Sequence, residues 1–144
     1  MKKFLAAFLL TSVLFTSCDT LNKLPTNTTG GIFSLNGSWV LTTASDSMLL
    51  GTVINIYPGV DNATITSVTN NNSCLRINDV KWKGIKSSSN GFTLMNLTNA
   101  CVSPQLYTGA EILVLAADQI RLTGKNAVGA DITQTWTRSK NGGQ

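Results

Sequence analysis

The chain has 144 residues, which sets an expectation of one domain. Only 12% are charged against 42% apolar, the reverse of the balance that keeps a chain disordered, so most of it should fold. Lys2 and Lys3 supply two of the eleven basic residues and the others are scattered among seven acidic ones, so no basic stripe points to nucleic acid.

In chain order, Met1 to Ser17 comes first. Lys2-Lys3 is a positive head, Phe4 to Phe15 is apolar but for Thr11 and Ser12, and Thr16-Ser17 is a small-residue exit. That is the architecture of an export signal, and it is too short for a spanning helix of ~20 apolar residues. Cys18 follows directly. The segment resembles a bacterial lipoprotein signal, in which small residues precede an invariant cysteine. The resemblance implies cleavage before Cys18, acylation of its sulfur and a mature chain held on the bacterial cell envelope, at the outer membrane. More than one acyl chain gives stable anchoring, where one alone is marginal. Residues 18–34 then read as lipidated cysteine plus flexible tether, being rich in Thr, Asn and Gly without apolar periodicity.

A different pattern begins at Leu35 and runs to residue 140, leaving 141–144 as a disordered tail. Gly37–Ala44 alternates and is rich in strand formers. Further strand-like runs are Thr52–Tyr57, Ala63–Thr69, Cys74–Trp82, Phe92–Leu97, Ile112–Leu115, Gln119–Thr123 and Ile132–Arg138. Between them lie P-G-V-D-N, T-N-N-N-S, K-S-S-S-N-G and G-K-N-A-V-G-A, all turn chemistry. Thr108 to Glu111 (T-G-A-E) matches a helix capping box, and the residues after it fit either a helix or a strand, a turn at A-A-D-Q and a strand. The β-rich surroundings favour the strands. The expected fold is all-β, a small antiparallel barrel or meander of about eight strands. About thirteen residues for each strand with its connection leaves room for a small cavity or none.

Two short motifs mark the ends of this domain: G-S-W at Gly37–Trp39 and T-W-T-R at Thr135–Arg138. Together they resemble the lipocalin-like, or calycin, superfamily, in which an early Gly-x-Trp packs its indole at the closed end of the barrel. A late basic side chain crosses that indole. The resemblance implies a barrel-closing pair of Trp39 and Arg138, a contact also favoured as a cation–π pair.

With Cys18 carrying lipid, Cys74 and Cys101 remain as an even pair, expected to form a structural disulfide in an oxidising compartment. There is no histidine anywhere in the chain, so a Ser-His-Asp or Cys-His arrangement is impossible. Most of the carboxylates (Asp46, Asp61, Asp79, Glu111, Asp118 and Asp131 in the domain) sit in apparent turns, not converging as a glycosidase pair would. No catalytic residue, metal site or cofactor is expected. Trp82, in V-K-W-K-G-I, faces the core if Val80 and Trp82 alternate inward, or stacks on a ligand if it lies at the barrel mouth. The expected function is non-catalytic binding of a small hydrophobic or sugar-like ligand at that mouth, near Tyr57, Trp82 and Tyr107. A filled barrel would instead indicate loops that engage an envelope protein partner, as an accessory subunit or hydrolase inhibitor. An open cavity discriminates the two.

Overall fold

Eight strands carry the chain: β1 (Gly37–Ala44), β2 (Val53–Ile56), β3 (Ala63–Ser67), β4 (Val80–Ser88), β5 (Gly91–Asn99), β6 (Leu106–Ala116), β7 (Gln119–Lys125) and β8 (Asp131–Arg138). The computed structural model describes residues 33–69 and 73–140. The export segment, Cys18, most of the tether and the tail lie outside the described residues. Each strand pairs antiparallel with the next, and β8 pairs back onto β1, so the sheet closes into an up-and-down barrel. Closure leaves no strand edge open for pairing with another chain.

Period-two patterning places the core. Trp39 and Leu41 of β1, Ile54 and Ile56 of β2, and Ile120 and Leu122 of β7 are all buried. In β8 the sequence T-Q-T-W-T turns Gln134 and Trp136 inward and leaves the threonines on the other face. There Thr42 Oγ1 and Thr137 Oγ1 lie 3.2 Å apart across the closing seam. Each large apolar side chain fully buried in this way contributes roughly 1.5–3 kcal/mol.

The all-β expectation holds, with corrections to the elements. The run from Cys74 is not strand until Val80. Cys74 and Asn78 have φ of 56° and 75°, a left-handed backbone that interrupts pleating, and Asp79 caps the bend by accepting the Arg76 N–H. K-S-S-S-N-G is mostly strand, the turn falling at residues 89–90. Residues 108–111 are strand rather than helix start, because β6 is one eleven-residue strand turning at Ala117-Asp118 into β7. A 3-10 turn, Ser47–Leu49, capped by Asp46, stands in the β1–β2 connection.

The barrel has two unlike ends. At one, the chain before β1 folds across the opening, and Phe33 and Leu35 are buried, so packing starts earlier than Leu35. Phe33 packs against both Trp39 and Phe92, and Arg138 closes the stack with its guanidinium 4.3 Å from the centre of the Trp39 ring. Arg138 also donates to the carbonyls of Asn36 and Ser34, and Trp39 Nε1 donates to Leu35 O at 2.7 Å. Gly37 is required there: its φ is +112°, and a Cβ would meet Arg138 Nη1 at 3.0 Å. The other end, formed by the β1–β2, β3–β4, β5–β6 and β7–β8 connections, is open.

Candidate functional site: the open mouth of the barrel

Beneath the mouth the barrel is filled by Trp82 and Trp136, packed edge to face with centroids 5.0 Å apart. Above this indole floor lies a cavity of about 310 Å³. Three of its most deeply buried lining residues are polar, Lys81, Asn96 and Gln134, exposed by 2%, 1% and 3%, beside Leu97 at 2%. Leu49, Leu75, Leu97 and Ile132 form apolar walls, and Asp46 and Asp131 stand nearer the surface.

Three local features of the sequence bring the polar groups inside. Lys81 is the extra residue of a β-bulge: Ala63 pairs with Trp82 but Thr64 pairs with Val80. The bulge lets Lys81 and Trp82 both face inward and breaks the expected Val80–Trp82 alternation, leaving Val80 only partly buried. Asn96 is opposite Trp82 in the β4–β5 ladder and so shares its face. Gln134 precedes Trp136 by two and receives its indole N–H at 3.2 Å.

Lys81 Nζ donates to Asn96 Oδ1 at 2.9 Å and to Leu97 O at 2.5 Å. Burial pulls its ammonium down to about 7. Asn96 Nδ2, Trp82 Nε1 and Ser73 Oγ are buried with no hydrogen-bond partner. Buried polar groups are normally satisfied, and Asn96 and Ser73 line the cavity, so their unfilled groups mark binding capacity there. A disulfide between Cys74 and Cys101, with Cα atoms 5.2 Å apart, ties the β3–β4 connection to the β5–β6 connection. Its neighbours Ser73, Leu75 and Ala100 line the cavity, so the bridge braces one side of the rim.

The three aromatics expected at the mouth are not brought together there. Tyr57 is exposed on the β2–β3 connection, at the stopped end. Trp82 is fully buried in the floor, on the inward face it shares with Asn96. Tyr107 stands in β6 with Lys83 Nζ 3.6 Å from its ring centroid and its hydroxyl donating to Val80 O at 2.8 Å. None of them lines the cavity. Lys81, Asn96 and Gln134 were missed by sequence reasoning. Lys81 stands directly between Val80 and Trp82, so alternation assigns it to the outer face unless the bulge is known.

A larger, shallower hollow of about 690 Å³ follows β5 to β8 around Gly109 and Gly124. Its polar side chains, among them the Lys125–Asp131 ion pair at 2.6 Å, are exposed, so it holds no desolvated group. Among the described residues no group of three or more Cys, Asp or Glu is placed to hold a metal ion. Comparison with family models, with curated proteins and with solved structures gives no match. What fold and site define is therefore a class by architecture: an eight-stranded up-and-down barrel, stopped at one end and open over a buried polar cluster at the other.

Proposed function

We propose that this chain is a lipid-anchored protein of the bacterial cell envelope, acylated at Cys18, whose barrel binds a small molecule without transforming it. The observation that carries the binding role is the mouth cavity of about 310 Å³ with Lys81, Asn96 and Gln134 buried in it and Asn96 Nδ2 unpartnered. That volume lies at the lower end of ligand sites, ~300–1,000 Å³, and the mixture of apolar walls with a few convergent polar groups is what such sites share. The absence of histidine from the sequence favours binding over catalysis. The export-like segment ending at Cys18 supports the anchor.

Native mass spectrometry on the protein purified from the cells that make it tests the binding role. An added mass that disappears on denaturation is the expected result. A clean apo mass, with a protein partner recovered in pull-down, would favour the second reading, in which the loops of the open end engage an envelope protein. Exposed Met48, Ile77, Val102 and Val128 on those connections support that reading. Replacing Cys18 by Ala should release the chain from the membrane fraction, and retention there would remove the acyl anchor.

A further inference from the structure

Lys81 has hydrogen-bond partners but no counter-ion. Its two bonds go to a side-chain amide oxygen and a backbone carbonyl; Asp46 and Asp131 stand at the exposed rim of the same cavity, and the single ion pair among the described residues joins Asp131 to Lys125, not to Lys81. An ammonium has three donors, so one remains. The amide that accepts from Lys81 offers its own Nδ2 group, buried and unpartnered. Two neighbouring donor groups, Lys81 Nζ and Asn96 Nδ2, both lining the same cavity, thus have unfilled N–H bonds, and the Lys81 ammonium is held out of water with no carboxylate in contact. Such a charge is costly unless paired.

The surroundings grade outward from this polar pair. Leu49, Leu75, Leu97 and Ile132 form the apolar part of the walls, with Gln134 beside them and the exposed Asp46 and Asp131 at the rim. Met48, Ile77, Val102 and Val128, one from each of the four connections at this end, are exposed around it. We infer that the cavity receives a single-chain carboxylate amphiphile, head first: the carboxylate accepts from Lys81 Nζ and Asn96 Nδ2, and the alkyl chain runs along the apolar walls to the rim. This rests on the binding role proposed above and specifies its ligand class. A carboxylate has two oxygens and one charge, which match two donors and one ammonium. A phosphate monoester would bring a further oxygen and more charge than one lysine offsets in a desolvated site.

The test is calorimetric titration of the purified full chain with dodecanoate, dodecan-1-ol and dodecyl phosphate, alongside native mass spectrometry of the same protein. Dodecanoate should bind one to one, with the alcohol and the phosphate each weaker by at least about tenfold, the scale of one charge-assisted hydrogen bond. Lys81→Met should lower dodecanoate affinity by a similar factor and leave the alcohol unchanged. The comparison of ligands on the unaltered protein decides the matter even where Lys81→Met fails to fold. Equal binding of alcohol and carboxylate would overturn the anion subsite while leaving an apolar ligand site in place. Tighter dodecyl phosphate would overturn the choice of headgroup. No binding of any of the three, with a different small molecule carried in the native mass, would overturn the amphiphile and keep the binding role. No binding and a clean apo mass would overturn both.

Discussion

Arg138 and Trp39 make the contact on which the stopped end depends, with the guanidinium 4.3 Å from the indole ring and two further bonds to the chain that covers it. Arg138→Ala and Trp39→Ala should each destabilise the barrel, and the double mutant should fall short of the sum by about 0.5–2 kcal/mol in denaturant unfolding. Full additivity would mean the two do not share an interaction. Lys81 governs a second expectation. Burial lowers its pKa from 10.5 to about 7, while the unfolded chain keeps the proton up to the higher value. Between these limits the unfolded state binds more protons, so stability should rise with pH from 7 towards 10, by at most about 1.4 kcal/mol per pH unit. Below pH 7 both states are protonated and the lysine adds no slope. Melting temperatures of the unliganded protein across this range should climb, and Lys81→Met should remove the climb. Arg138 and Trp39 were legible in the sequence because each stands in a short motif at a domain end. Lys81 was not, because one inserted residue reverses the face that alternation assigns to it.

Among the elements, the β3–β4 connection is the one whose order depends most on covalent chemistry. It bends through Cys74 and Asn78 at positive φ, and the disulfide to Cys101 holds it against the β5–β6 connection. Closing a loop of this sequence separation, 27 residues, contributes roughly 3–4 kcal/mol in the loop-entropy model. Reduction should lower the unfolding midpoint accordingly, and hydrogen exchange should quicken first at Leu75–Asp79 rather than in β7 or β8. Uniform loss of protection would show that the bridge supports the whole barrel rather than one rim. Strands with strict alternation, such as β7, were read from the sequence nearly to their boundaries. β6 was seen only from Ile112, because Thr108, Gly109 and Ala110 carry little hydrophobic signal and T-G-A-E imitates a helix start. The disulfide was read from cysteine count and compartment, whereas the bulge that shapes the mouth leaves no mark in composition.

For the whole molecule, closure is the decisive contact. β8 pairs with both β1 and β7 and carries Gln134, Trp136 and Arg138, which serve the mouth, the floor and the stopper in turn. A chain truncated before Asp131 should lose near-ultraviolet circular dichroism and unfold without a cooperative transition. A truncated chain that melts sharply would mean seven strands suffice. Eight strands in an antiparallel barrel were legible from the count of strand-like runs and turns. Which half of the interior is filled was not, since that depends on three indoles whose packing is set by long-range register.

The stopper also fixes a direction of pull. The chain reaches β1 through Ser34 and Asn36, whose carbonyls are clasped by Arg138, at the end opposite the mouth. Tension applied through anything attached before Phe33 is borne first by that clasp and by the first turn of backbone into β1. The four connections around the cavity lie at the far pole and carry none of it directly. A pull on the chain before Phe33 would thus be absorbed at the base of the barrel, while the opening, at the opposite pole, keeps its shape.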